Sequence, residues 1–154
     1  MEIRNGTYTL YNNTHMLVRE YYGHGISDPE IDKMREISYA KKLGYIRGFT
    51  LEEKEDRYCK SIKIADMSNA YEVETRGRYK GQEFIICGYR SLSKAFGLIT
   101  HDEQLASRLG FISLSDGFIL EVDAADVDEI WEIRGKSKLG LPLPQGLKAK
   151  VIIL

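Results

Sequence analysis

The feature that most constrains the fold of this chain is an internal repeat. Tyr58 to Val73 aligns without a gap on Phe118 to Ile133, an offset of 60 residues. Upstream, Leu43-Gly44-Tyr45-Ile46 answers to Leu109-Gly110-Phe111-Ile112, and Ile26-Ser27-Asp28-Pro29-Glu30 answers to Ile99-Thr100-His101-Asp102-Glu103. Gly6 and Gly81 open the two copies. The offset shortens along the chain, and each step falls where a loop or helix can change length. Self-similarity of this kind dictates architecture far more than chemistry.

Local signals then assign elements to each copy. Gly6 to Asn12 alternates threonine with tyrosine and leucine, Asn12-Asn13 marks a turn, and His15 to Tyr22 returns as the partner strand. Ser27-x-x-Glu30 is a capping box with Pro29 in the first turn, and Ile31, Met34, Ile37 and Lys41 follow at helical spacing. This predicts a helix over 28–43, stopped by Gly44. Strands follow at Tyr58–Ile64 and Tyr71–Tyr79. In the second copy Gln82–Gly88 and Lys94–Ile99 are strands, and Thr100-x-x-Glu103 opens a short helix ended by Gly110. Phe118–Val122 and Ile130–Arg134 are the closing strands. Pro142 and Pro144 keep residues 136–145 out of any central strand, and Lys148–Leu154 ends apolar as a closing strand.

The expected fold is therefore α+β: an antiparallel sheet of two β-β-α-β-β repeats with helices on one face, plus a C-terminal closing strand. A chain of 154 residues reads as one domain, 1–154, with copies at 6–79 and 81–134 and a tail at 135–154.

Charge and motif content limit the chemistry. With 22 basic against 23 acidic residues, the chain lacks the cationic excess that a nucleic-acid binder needs. No run of 18 apolar residues and no leader-like start at Met1–Asn5 point to a membrane or to export, so a cytoplasmic location is expected. Cys59 and Cys87 are isolated and read as reduced thiols, with a disulfide between them the lesser alternative. His15, His24 and His101 show no metal-ligand spacing, and neither cysteine lies near one, so no metal and no cofactor are expected. His101-Asp102-Glu103 resembles a catalytic cluster, but acids in a helix first turn complement its dipole, and the first copy has Asp28-Pro29-Glu30 there. Gly23-His24-Gly25 reads as a turn rather than an anion site.

Two acidic clusters occupy matching regions of the copies: Glu52, Glu53, Glu55 and Asp56, and then Asp123, Asp126, Asp128 and Glu129. One reading is solvated loops. The functional reading is an acidic surface that gains on-rate and selectivity against a basic protein partner. The second cluster lacks the glycine and terminal glutamate of a calcium loop.

The segment Thr100-His101-Asp102-Glu103-Gln104-Leu105-Ala106-Ser107-Arg108-Leu109-Gly110-Phe111, followed by Val127-Asp128-Glu129-Ile130-Trp131-Glu132-Ile133-Arg134, resembles small immunity-type proteins of bacterial polymorphic-toxin systems. The opening Asn5-Gly6-Thr7-Tyr8-Thr9-Leu10-Tyr11 is similar too. The resemblance implies a cytoplasmic, non-catalytic protein that binds and neutralises one toxin, with the acidic clusters as the partner-binding residues. Two alternatives stand beside it. One is an enzyme, such as a transferase on a nucleotide-derived substrate, with Tyr8, Arg19, His24 and Glu72 as its polar set. The other is a phage or mobile-element accessory protein with a different protein target.

Overall fold

The structure, a computed structural model, describes residues 2–21 and 30–154. Of these, 52 % lie in strands and 13 % are helical. This overturns the expected α+β arrangement with helices covering one sheet face: the protein is mainly antiparallel β. The helix expected over 28–43 does not form. Its described part is a strand, β3 (Met34–Ala40), between the 3-10 turns Ile31–Lys33 and Lys41–Leu43. Ile31, Met34 and Ile37 fit a helical period, but Ile37, Ser38 and Tyr39 are all buried in succession. Ser38, on the opposite face, is covered by Arg57, so the segment loses the period of two that would have revealed a strand. Isoleucine and tyrosine also favour extended backbone, and β3 gains a ladder on each side. Ser27 and Pro29 of the expected capping box lie outside the described residues, as do Gly23, His24 and Gly25.

The chain separates into two compact units. The first comprises Gly6–Glu72 and Gly135–Leu147. Here β1 (Gly6–Tyr11) and β2 (Thr14–Glu20) form the expected hairpin, with Asn12 and Asn13 at φ 49° and 57°. Asparagine tolerates that left-handed conformation, which a tight hairpin turn demands. With β4 (Thr50–Glu52) and β5 (Arg57–Lys63), the strand order is β4-β5-β3-β2-β1, so β4 is an edge. One face of this sheet carries Met16, Val18, Ile37, Tyr39 and Ile62, which form a core with Phe49, Met67 and Ala70. The proline-bearing tail contributes Leu139 and Leu141 to that core and accepts a hydrogen bond from Ala70 N at Pro142 O, 3.1 Å.

The second unit comprises Met1–Asn5, Val73–Arg134 and Lys148–Leu154. β6 (Tyr71–Tyr79) begins in the first unit and continues here. It is followed by β7 (Gln82–Arg90), β8 (Ala95–Thr100), the helix α1 (Glu103–Leu109), β9 (Ile112–Leu114), β10 (Gly117–Asp123), β11 (Val127–Gly135) and β12 (Lys150–Ile152). The order is β6-β7-β8-β10-β9, with β11 pairing β6 and β12. Phe84, Ile86, Phe96, Leu98, Val122 and Ile130 form the core, and Leu105 and Leu109 of α1 pack on it. The cap of α1 is Asp102, not the expected Thr100: its carboxylate accepts from Leu105 N at 3.1 Å. Gly110, at φ 82°, ends the helix as expected.

The two ungapped blocks fold alike. β5 and β10 share one burial pattern, and each leads into a 3-10 turn, Ile64–Asp66 and Ala124–Asp126. The copies diverge upstream. In the second unit β8 pairs β10 directly, whereas in the first β3 is inserted between β2 and β5. The length difference that sequence placed inside a helix is an extra strand.

Candidate functional site: an acidic cleft on the first unit

Strand alternation decides which side chains reach the outer face of the first unit. Val18 and Ile37 are paired and belong to the core, so the adjacent pair Arg19 and Glu36 points the other way. On the same logic Cys59, paired with both Ser38 and Thr50, faces outward, as does Glu52, paired with Arg57. The β4–β5 turn closes through Asp56 at φ 58°, and Glu55 reaches Arg19.

Arg19 is the hub of this face. Its Nη2 donates to Glu36 Oε1 at 2.6 Å and to Glu55 Oε2 at 2.8 Å, and its Nη1 donates to Glu55 Oε1 at 3.1 Å. The fork of the guanidinium suits this two-sided grip. Beside it, Arg57 donates from Nε to Ser38 Oγ at 3.0 Å and from Nη2 to Ser38 O at 2.9 Å, which satisfies the buried serine. Side-chain exposures of 34 % for Arg19 and 45 % for Glu55 leave the pair open to water, so it organises the surface more than it stabilises the fold.

Arg19, Glu36 and Glu55 line a cleft of about 450 Å³. Among the described residues, Glu36, Glu52 and Glu55 bring carboxylates to the face of Arg19, with Arg57 beside them, and Glu20, Tyr21, Thr50 and Cys59 also line the cleft. The hydrogen bond from Arg19 holds the Glu55 carboxyl below the ordinary carboxylate range. The hydrogen bond to Glu55, opposed by burial and joined by Glu36, raises the already high pKa of Arg19. Burial, reinforced by the charge of Glu36, pushes the Cys59 thiol up. At neutral pH the cleft thus presents fixed negative charge and a neutral thiol, and a neutral thiol is a poor nucleophile.

The sequence-predicted acids divide. Glu52 and Glu55 line the cleft, while Glu53 and Asp56 are exposed in the same hairpin turn. The other cluster lies in the second unit and lines no part of the cleft. Asp123 Oδ1 accepts from Ala125 N at 2.9 Å and caps the 3-10 turn, Asp126 ends that turn, and Asp128 and Glu129 sit on β11. Of the alternative enzymatic set, only Arg19 enters the cleft. Tyr8 is buried against Tyr71 with ring centroids 6.1 Å apart, Glu72 accepts from Thr7 Oγ1 at 2.9 Å, and His24 lies outside the described residues. Sequence reasoning missed Glu20, Glu36, Thr50 and Cys59 as neighbours. Arg19 and Glu36 meet only because β3 is a strand, so no signal at helical spacing could have joined them.

Among the described residues no group of three or more His, Cys, Asp or Glu side chains is placed to hold a metal ion, and no helix is long and apolar enough to cross a membrane. No curated protein and no solved structure matches the chain. Residues 3–137 match one family throughout, and the chain accordingly belongs to the family described as uncharacterised conserved protein UCP033725.

Proposed function

We propose that this protein is a non-catalytic, cytoplasmic protein-binding domain, an immunity protein that neutralises a bacterial toxin by direct contact through the acidic cleft and hairpin of its first unit. The observation that carries this reading is the acidic character of the cleft and its hairpin, where Glu36, Glu52 and Glu55 share one face with Arg19 and Arg57. A lysine or arginine side chain of a basic partner entering it meets oriented carboxylate oxygens, and exposed Glu53 and Asp56 extend the same field outward. Such fields accelerate encounter and reject acidic competitors. The raised thiol pKa of Cys59 and the lowered carboxyl pKa of Glu55 favour holding a partner over turning over a substrate, because neither group is tuned as nucleophile or base near neutral pH. The immunity role itself rests on the resemblance of residues 100–111 and 127–134.

The test is co-expression with the toxin encoded by the neighbouring gene, followed by titration calorimetry of the purified pair. A complex that protects the host, weakens with salt and loses affinity in Glu52→Lys and Glu53→Lys supports the proposal. No complex and no protection would sink it.

A further inference from the structure

The matching Leu-Gly pairs of the repeat stand in opposite surroundings. In the second unit Leu109 and Phe111, on either side of Gly110, pack on the core, and the Phe111 ring lies 5.2 Å from that of Phe84. Their counterparts in the first unit, Leu43 and Tyr45, are 63 % and 60 % exposed. They belong to the loop 41–48 after β3, in which Ile46 alone is not exposed and packs on the core. The loop is held at several points. Gly44, at φ 94°, closes the 3-10 turn by donating from its N to Lys41 O at 3.0 Å. The Tyr39 hydroxyl holds Gly44 O and Ile46 N, and the Tyr45 ring stands edge-on to Tyr58 at 5.6 Å. A leucine and a tyrosine are thus fixed in solvent where the other copy of the repeat buries their equivalents.

The charge around this tip is mainly of one sign. Lys41, Lys42 and Arg47 lie in the loop, and no acid occurs between residues 41 and 51. None of the three forms an ion pair among the described residues. Lys60 joins them: its Nζ lies 3.8 Å from where a side chain at Gly48 would begin, and it donates to Tyr11 Oη at 3.0 Å. The acids nearby belong to the β4–β5 hairpin. Lys41 N donates to Asp56 O at 3.0 Å, so Asp56, with Glu53 and Lys54 of the same turn, borders the loop. Glu36, Glu52 and Glu55 face the other way. Tyr58, on which Tyr45 rests, pairs with Tyr39 on the core side of the sheet, and alternation sends the cleft acids to the outer side. Lys41, Lys42, Arg47, Lys54 and Lys60 therefore stand against Glu53 and Asp56, a positive surplus.

Apolar tip and cationic surround together select the occupant. A nucleic acid would answer the charge but offers Leu43 no apolar interior. An acidic protein would need a pocket shaped to a convex tip, since Lys41 to Tyr45 are exposed without a break. An anionic bilayer needs none: its headgroups meet lysine and arginine, tyrosine suits the interfacial level, and leucine reaches the acyl boundary. We infer that loop 41–48 of the first unit is a peripheral membrane-docking tip. It takes anionic phospholipid headgroups at Lys41, Lys42 and Arg47 and sets Leu43 and Tyr45 into the interface. Attachment of this kind is reversible and sensitive to salt, because surface charge is screened. The inference does not depend on the proposed role of the acidic cleft, which lies on the other face of the sheet.

Co-sedimentation of the full chain with lipid vesicles tests it. One set of vesicles is pure phosphatidylcholine, and the other contains about 30 % phosphatidylserine, enough for a strongly negative surface. The wild type is expected to pellet with the anionic vesicles alone, and to be released when salt is raised from about 0.05 to 0.5 M. Lys42→Glu and Leu43→Asp are each expected to weaken binding by about tenfold. Leu92→Glu, at a fully exposed turn residue of the second unit, is expected to bind as the wild type does. Circular dichroism melts show that each variant is folded, and Lys42 and Leu43 are exposed enough for their substitution to leave the core alone. A wild type that stays in solution with both vesicles overturns the inference, and a tip reserved for an acidic protein would give that result. Equal binding to both vesicles, or undiminished binding by both loop variants, overturns it as well.

Discussion

The two units put one equivalent strand pair, β4–β5 in the first and β9–β10 in the second, to opposite chemical ends. In the first unit Thr50 faces Cys59 and Glu52 faces Arg57; in the second Ile112 faces Ile119 and Leu114 faces Gly117. The pairs between them, Leu51 with Tyr58 and Ser113 with Phe118, retain an aromatic residue on the longer strand. The inward positions that build the core are kept apolar: Ile62 and Val122, Met67 and Val127, and Ala70 and Ile130 are all buried. Burial constrains one side of a sheet, and the other side is free to diverge. In the first unit that free side carries charged groups and a cleft; in the second it carries a row of four isoleucines, Ile85, Ile99, Ile119 and Ile112.

The sharpest way to break this comparison is at Glu132 and Glu72, which share a place in the repeat. Glu132 is 4 % exposed and gripped by two arginines: Arg4 donates from Nε to Oε2 at 3.0 Å and from Nη2 to Oε1 at 2.8 Å, and Arg134 Nη2 donates to Oε1 at 2.7 Å. Glu72 is half-buried and accepts from Thr7. Glu132→Ala leaves two half-buried guanidinium groups without their carboxylate, and urea denaturation should show a loss of about 3–5 kcal/mol. Glu72→Ala should cost about 1 kcal/mol. Equal costs would mean that the second unit does not depend on its ion cluster as the geometry indicates.

Acid gives a second view of Glu132. Burial works to raise its carboxyl pKa, but the hydrogen bonds from Arg4 and Arg134 outweigh burial, and the net shift is downward from 4.5. A carboxyl depressed in the folded state adds stability above its unfolded pKa, and that stability is lost as pH falls through the folded value. Wild-type stability should therefore drop below about pH 4.5. Glu132→Gln, already weaker at pH 7, should lose less than wild type over the same acid range. Parallel curves for the two proteins would show that other groups control acid unfolding.

Tyr39 tests the inserted strand. Its buried hydroxyl donates to Gly44 O at 2.9 Å and accepts from Ile46 N at 2.7 Å, which pins the loop after β3. Tyr39→Phe strands both backbone groups and should cost about 1–3 kcal/mol. Hydrogen exchange should quicken at Ile46 while the second unit, which has no counterpart of β3, is unchanged. Uniform protection loss across both units would contradict a local role.

The smallest effect belongs to the cleft hub. Arg19→Met removes the grip on Glu36 and Glu55, but both partners are open to water, so thermal melts should report less than about 1 kcal/mol. The same change should strengthen binding of a cationic probe peptide, because Glu36 and Glu55 lose the guanidinium that holds them. A large stability loss with no gain in cation binding would show Arg19 to be structural.

Much of the second unit was legible from sequence, because its elements obey local rules. Gly110 ends a helix, Lys80-Gly81 turns a hairpin at φ 48° and 74°, and Phe118 to Val122 reads as a strand. The first unit misled at one segment, and the site followed it. Ile31, Met34 and Ile37 have the spacing of a helix face, while the evidence for a strand lies in neighbours far along the chain: β2 on one side and β5 on the other. The matching Leu-Gly pairs reinforced the error, since Leu43-Gly44 ends a 3-10 turn and Leu109-Gly110 an α-helix. With β3 misplaced, Glu36 could not be set beside Arg19.

The sequence by itself determined the repeat, the hairpins, the short helix and the acidity of the β4–β5 turn, because each depends on residues close together in the chain. Tertiary structure alone decided that residues 34–40 are a strand, that Arg19, Glu36 and Glu55 share a face, and that four isoleucines from four strands stand in one row. These depend on cross-strand register, and register is set by long-range pairing that no local pattern of residues records.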